Sequence, residues 1–353
     1  MRLAGVSVVR DEADIIEAWV RHNLFFLDHL YIVDDGSTDQ TTRILDILVS
    51  EGLPVSVTSE KSLAAYHQGE RTTALIAYAM AASSWDFVFP LDGDEFIVAE
   101  DRAALETDLA AIGGYRLGGL NPRHYLMTEQ DDLEEPCPLT RLRHVAVHEP
   151  YIFKVIVPGA LACERGFAIV DGNHRATKWD VTLPTTLLPN VQLAHFPARS
   201  EAQLVSKGIA GYLRWTARTD FSHGAPDRLL EGVGILKEED DIKVRAIGRL
   251  AEALGADRGG RTARLQPFVE RRGEVRYPEL ARIFPYRRVL SATDDLVHAF
   301  KAALDENREL RQGGATFQSR LFGAFSRHQK SLRRRLTALR HGQDVPKEPI
   351  GYY

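Results

Sequence analysis

An α/β domain built on a parallel, doubly wound sheet, with a helical region behind it, is the fold class that this 353-residue sequence predicts. Two observations carry it. Apolar strand-like runs alternate with helix-patterned stretches from residue 1 to about residue 100, and three of those runs end in charged turns. Leu3 to Val9 is the first run, and Arg10-Asp11-Glu12 follows it directly. Residues 13 to 26 carry helical spacing through Ile15, Ile16, Trp19, Val20 and Leu24. Leu30 to Val33 is the second run and ends in Asp34-Asp35-Gly36-Ser37-Thr38-Asp39, a turn leading to a helix N-cap. A helix over Thr41 to Val49, a strand over Pro54 to Thr58 and a helix over Glu70 to Ala82 lead to the third run, Phe87 to Phe96. In open α/β sheets ligands bind beyond the carboxyl ends of the strands, so the three charged turns should converge on one site.

The third run carries the most chemistry. Phe87-Val88-Phe89-Pro90-Leu91 reads as a buried strand, and Asp92-Gly93-Asp94-Glu95 closes it with three carboxylates. Their mutual repulsion requires a positive partner. Hard oxygen ligands favour Mn²⁺ or Mg²⁺ over zinc, and such an ion usually completes its shell with water and substrate phosphates.

The Asp34 to Asp39 turn and the Leu91-Asp92-Gly93-Asp94-Glu95-Phe96 segment, in this order and each after its strand, resemble two hallmarks of family 2 glycosyltransferases of the GT-A fold. Together with Val9-Arg10-Asp11-Glu12 they are closest to a bacterial branch with an Asp-x-Asp-Glu-Phe ending. The resemblance covers residues 1 to about 100 and implies a Rossmann-like domain with a mixed, mostly parallel sheet. It also implies a nucleotide-diphospho-sugar donor and a saccharide or lipid-linked acceptor. Asp34 and Asp35 would touch the base and ribose, and Gly69 to Arg71 would lie along the ribose and phosphate. Arg10 and Glu12 would border the donor, Asp92 would approach the ribose or a metal-bound water, and Asp94 would hold the metal. The family's Asn a few residues after the Arg71 position is absent, since the chain reads Thr72-Thr73-Ala74-Leu75.

Further positive charge is expected from Arg199 and Lys207, which follow His195-Phe196-Pro197-Ala198 on a helix capped by Ser200. His195, at the end of the strand-like Val191 to Ala194, is the expected second protein ligand of the metal, with His174 as its rival. An inverting transferase also needs a base for the acceptor hydroxyl. Asp171 and His174 are the leading candidates within the strand-rich stretch from 113 to 195, with Glu164 and Glu149 behind them.

The division expected is a catalytic domain over 1–220, with a nucleotide-sugar half at 1–112 and an acceptor half at 113–220, then a helical extension over 221–353. Within the extension, helical patterns cover Glu238 to Leu254, Asp294 to Arg311 and Gln318 to Arg340, and a Gly/Arg-rich link covers Gly255 to Arg264. Residues 318–341 form a basic amphipathic pattern, suited to peripheral contact with an anionic membrane surface. A net charge of −5 and the lack of a zinc-finger or other nucleic-acid motif exclude a duplex-coating role. Only two cysteines, Cys137 and Cys163, occur, without CxxC spacing; with no signal-peptide pattern, a cytoplasmic location is expected. No apolar run is long enough to span a bilayer. A haloacid-dehalogenase phosphatase is disfavoured because Asp92 follows several strands instead of the first. A receiver domain would leave most of the chain unused, and a non-catalytic nucleotide-sugar-binding module is the remaining alternative.

Overall fold

The structure is a computed structural model describing residues 1–60, 68–128, 130–132, 134–147, 153–216 and 263–312. The predicted helical patterns over Glu238 to Leu254 and Gln318 to Arg340, the Glu149 candidate and the basic segment 318–341 lie outside the described residues. Two compact units are present, Met1–Leu296 and Val297–Tyr353.

The expected α/β alternation opens the first unit. β1 (Leu3–Val9), β2 (His29–Asp34), β3 (Val55–Ser59) and β4 (Phe87–Pro90) alternate with α1 (Ile16–Asn23), α2 (Thr41–Ser50) and α3 (Gln68–Ala82). These four strands pair in parallel in the order β4-β1-β2-β3, and β1, β2 and β4 are buried on nearly every residue, as strands covered on both faces must be. The Phe87 to Phe96 run does not continue as one strand. Pro90 ends β4, and after a turn at Gly93-Asp94 the chain re-enters the sheet as β5 (Glu95–Val98). Proline offers no N–H to a ladder, which is the local reason for the break.

Past α4 (Arg102–Ile112) the sheet becomes mixed. β6 (Leu117–Leu126) is parallel to β12 (Thr185–His195) and antiparallel to β7 (His144–Ala146) and β8 (Lys154–Pro158). β8 also joins β4, and β12 runs antiparallel to β5 with His195 opposite Glu95. One sheet thus carries the ends of β1, β2, β4 and β12 to a common edge. α5 (Pro138–Arg141) and α6 (Gly159–Ala162) are single turns. A separate three-stranded sheet holds β9 (Phe167–Ile169), β10 (Ala176–Lys178) and β11 (Val181–Thr182). α7 (Glu201–Thr216) follows, capped by the Ser200 hydroxyl on the Gln203 N–H as expected. β13 (Ala263–Leu265) pairs with β7, and α8 (Pro285–Gln312) begins nine residues before its predicted start.

The aromatic core sits beneath that edge. Phe96, Tyr125, Phe196 and Phe268 pack on one another, with Tyr125 and Phe196 stacked at 4.3 Å. His22 is wholly buried among Phe26, Phe96 and Phe268. Its Nε2 donates to the Ile97 carbonyl at 2.6 Å, and its Nδ1 accepts the Arg272 N–H at 3.0 Å. This pair of contacts requires the neutral ring, because a proton on Nδ1 would face another N–H. Burial accordingly pushes the His22 pKa down to about 4.

A histidine whose folded pKa is depressed gives stability that is complete above its unfolded value and lost as pH falls towards the folded one. Stability should therefore drop by about 3 kcal/mol between pH 6.5 and pH 4 on this account. Urea unfolding across that range measures it, and His22→Gln should flatten this part of the profile.

Candidate active site

Each turn at the sheet edge is fixed by its own side chains. Asp34 accepts from the Ser37 N–H at 3.0 Å and from the hydroxyls of Ser37 and Thr42, both at 2.5 Å, so it shapes the turn after β2. Asp11 has φ 54, and its carboxylate accepts from the Thr38 N–H at 2.6 Å, locking the turn after β1 to the turn after β2.

Beside that joint lies a buried ion cluster. Asp35 pairs with Arg71 at 2.5 Å and with Arg10 at 3.8 Å. Arg10 also donates to Ser291 at 2.9 Å and to Asp295 at 3.0 Å on α8, and Arg214 of α7 approaches Asp295 at 3.8 Å. Arg288 donates to the carbonyls of Arg10 and Asp11. The first turns of α8 are thereby tied to the ends of β1 and β2.

The second cluster forms where β12 meets the Asp94 turn. Asp94 Oδ1 lies 3.3 Å from His195 Nε2, and the His124 ring, tilted by 57°, lies 4.9 Å from the His195 ring. Lys207 Nζ is 3.1 Å and Arg199 Nη1 is 3.5 Å from Asp94 Oδ2. Burial would raise the Asp94 carboxyl, but Lys207, His195 and Arg199 outweigh it and hold it well below the usual carboxylate range. Burial and the positive Lys154 and neighbouring His124 depress His195 against the pull of Asp94, keeping the ring neutral as a metal ligand must be. Arg199 was expected to face phosphate. It lies instead fully buried behind the carboxylates, donating to Glu12 and to Asp14 at 2.8 and 2.9 Å, because a buried guanidinium has to be paired. Lys207, partly exposed, remains the cation that can meet a ligand.

The third cluster surrounds Asp92. Lys154 of β8 pairs with Asp92 and lies 3.2 Å from Glu95, while the Asp92 N–H donates to Glu95 at 2.9 Å. Asp92 Oδ1 also accepts from Gln68 at 2.7 Å and Asn173 at 3.1 Å. Burial, with Asp92 and Asp94 nearby, pushes the Glu95 pKa up to about 8 against the effect of Lys154. The segment 170–174 reaches this network from the small sheet. Gly172 donates to Gln68 at 3.2 Å, and exposed Asp171 accepts the Gly69 N–H at 2.7 Å at the start of α3. His174 Nδ1 meets the Phe153 carbonyl at 3.0 Å; burial and Lys154 push its pKa down to about 3, far too low for a base at neutral pH. Glu164 is paired with Lys178 in the small sheet.

Among the described residues no group of three or more His, Cys, Asp and Glu side chains is placed to hold a metal. The Asp94–His195 pair is nevertheless the right donor set for a cation that takes most of its ligands from phosphate and water. Two ligands about 2.1 Å from an ion and at right angles to each other stand about 3 Å apart, close to the observed spacing. Asp92, expected to approach the ribose or a water on the metal, is engaged by Lys154, Gln68 and Asn173.

Lys154, Asp14, Gln68 and Asn173 were not among the expected site residues. Lys154 had a readable signal, a single cation within Phe153-Lys154-Val155-Ile156-Val157, since a lysine inside a buried strand needs a carboxylate partner.

No protein-family model matches the chain, and no curated protein matches its sequence. Among solved structures it is similar to the S. aureus TarS 1–349 complex with UDP, at 14% identity over 72% of this chain and 80% of that one, TM-score 0.34. It is also similar to the Pyrobaculum calidifontis mannosyltransferase PcManGT with GDP-Man and Mn²⁺, at 11% identity over 92% and 79%, TM-score 0.35. A third is the Mycobacterium tuberculosis glucosyl-3-phosphoglycerate synthase with Mn²⁺, UDP and glucosyl-3-phosphoglycerate, at 19% identity over 62% and 81%, TM-score 0.33. These likenesses are distant, and the functional reading rests on the site's own residues. No helix among the described residues is long and apolar enough to cross a membrane.

Removing Lys154 leaves Asp92 without its buried counter-charge, so Lys154→Met should cost about 3–5 kcal/mol of stability. Adding Asp92→Asn should restore much of that loss. Equilibrium urea unfolding of the two variants checks both statements.

Proposed function

We propose that the protein is a glycosyltransferase of the GT-A type that moves a sugar from a nucleotide-diphospho-sugar to an acceptor hydroxyl. The observation that supports it best is the Asp94–His195 pair, 3.3 Å apart at the sheet edge and flanked by Lys207, beside the Asp34-Asp35 turn. In this reading Asp94 and His195 hold Mn²⁺ or Mg²⁺. Such an ion would supply positive charge to stabilise the departing diphosphate.

The chain's own groups do the rest. Asp35 and Arg71 receive the nucleoside side, with Asp34 holding their turn in shape. Lys207 adds a cation near the diphosphate, and Arg199 keeps Glu12, Asp14 and Asp94 in position. Asp92, held by Lys154, Gln68 and Asn173, presents its remaining acceptor capacity to the ribose or the sugar. The acceptor oxygen attacks the anomeric carbon as the bond to the diphosphate oxygen breaks, inverting the centre, and Asp171 takes the hydroxyl proton. We assign the proton to Asp171 over His174 because Asp171 is exposed, whereas the His174 ring is held by the Phe153 carbonyl. The cytoplasmic face of a bacterial envelope, supplying polysaccharide or lipopolysaccharide, is the setting this reading favours, with residues 318–341 as a membrane contact.

The bond from the Gly69 N–H to Asp171 favours a second reading, a non-catalytic nucleotide-sugar-binding module, because it gives the carboxylate a structural task at the start of α3. Release of nucleoside diphosphate from UDP- and GDP-sugars with Mn²⁺ separates the two: turnover supports the enzyme, and binding without turnover supports the module.

Asp94→Asn keeps the size but removes the charge, so Mn²⁺-dependent binding of donor and turnover should both fall by at least about 100-fold while the protein stays folded, as far-UV circular dichroism checks. His195→Ala should lose less and regain activity at high Mn²⁺, since neutral imidazole supplies a ligand without charge. Full activity in EDTA would overturn the metal assignment.

A further inference from the structure

The hairpin joining β10 to β11 has a backbone that its residues do not favour. Lys178 pairs with Val181, so Trp179 and Asp180 alone form the turn, with φ of 53° and 63°. Two-residue hairpins of this shape normally use Asn-Gly or Gly-Gly, because both central residues must be left-handed. A tryptophan there is a steric outlier, and such outliers concentrate where the chain presents a group to a ligand.

What the turn presents is an aromatic face. Trp179 is 61% exposed, although it is the largest side chain in the small sheet. One face of the indole is seated on Gly166, where an added Cβ would lie 2.5, 2.6 and 2.9 Å from three ring carbons. Gly166 itself has φ 84 and accepts the Trp179 N–H at 3.0 Å, so backbone and ring are fixed together. The Arg165 guanidinium lies over the ring, 6.0 Å from its centroid. Of the sequence neighbours, Asp180 is exposed and Lys178 is paired with Glu164.

A fixed, largely exposed aromatic ring with a guanidinium above it and charged residues next to it in sequence matches one ligand chemistry above others. A pyranose offers an apolar C–H face to the ring and a belt of hydroxyls to the rim. We propose that Trp179 is a saccharide-binding platform, with Arg165 and Asp180 taking the hydroxyls. Its place supports an acceptor role. The other end of the same hairpin is the segment 170–174, whose Asn173 bonds Asp92. From Asn173 to Trp179 is six residues, at most about 20 Å along a strand. A glycan of several sugars can rest on Trp179 while its end reaches the site. This assignment to an acceptor rests on the transferase reading, whereas saccharide binding at Trp179 does not.

The test uses full-length protein and a panel of maltohexaose, cellohexaose, chitohexaose and a dextran hexasaccharide, followed by indole fluorescence and calorimetry. Wild type should bind at least one member with quenching or a blue shift, and Trp179→Ala should weaken that binding by at least about tenfold. UDP and GDP binding with Mn²⁺ should be unchanged in the same variant. The double variant Trp179→Asn, Asp180→Gly gives the turn the residues it favours. It should melt a few degrees higher than wild type and still lose the glycan. Binding that survives in both variants, or no binding by wild type across the panel, overturns the platform and leaves the transferase reading untouched. A wild type that binds glycan but neither nucleotide supports the platform while removing its acceptor role.

Discussion

Packing three carboxylates into four residues at the end of a buried strand is affordable only if cations arrive from elsewhere in the chain, and the rest of the site follows from where they come. Lys154 crosses from β8 to sit between Asp92 and Glu95, and Lys207 and Arg199 come from α7 and the segment before it to meet Asp94. The division of labour is electrostatic. Asp94 stays ionised under those cations, whereas Glu95, deep and beside two other carboxylates, is pushed towards its neutral form. Neighbouring acids therefore differ in charge, Asp94 ionised and Glu95 drawn towards its neutral form.

The same requirement explains the mixed character of the sheet. The parallel strands β4-β1-β2-β3 bring the acidic turns to one edge but contain no cation able to serve Asp92. β8, antiparallel to β4, supplies Lys154, and β12, antiparallel to β5, delivers His195 opposite Glu95. Charged groups of both signs become neighbours through strand pairing instead of through sequence proximity.

Much of the first hundred residues was legible because its signals are local. Apolar runs set β1, β2 and β4, and Ser200 capped α7 where its position before the helix implied. The break at Pro90 was legible as well, from the missing N–H alone, but the motif read as one unit hid it. Distances along the chain hid the rest. Nothing near Asp92 in sequence announces Lys154, 62 positions away, or Asn173, 81 away. Arg199 looked like an anion contact because it precedes a helix; only the fold shows Glu12 and Asp14 already waiting for it. The role of α8 was illegible for the same reason, since its Arg288, Ser291 and Asp295 act on residues at the opposite end of the chain.

That last contact has a consequence for how the protein is made. Arg10 and Asp295 are separated by 285 positions, and Arg288 reaches back 278 to the Arg10 carbonyl. During synthesis the strands β1 to β4 emerge first and can pair with one another, but the guanidinium of Arg10 has no Asp295 to meet until nearly the whole first unit has left the ribosome. At about 5–20 residues per second, some tens of seconds can pass in that state. Through that interval the nascent chain carries Arg10 without its α8 partners, a natural point for chaperones to engage it.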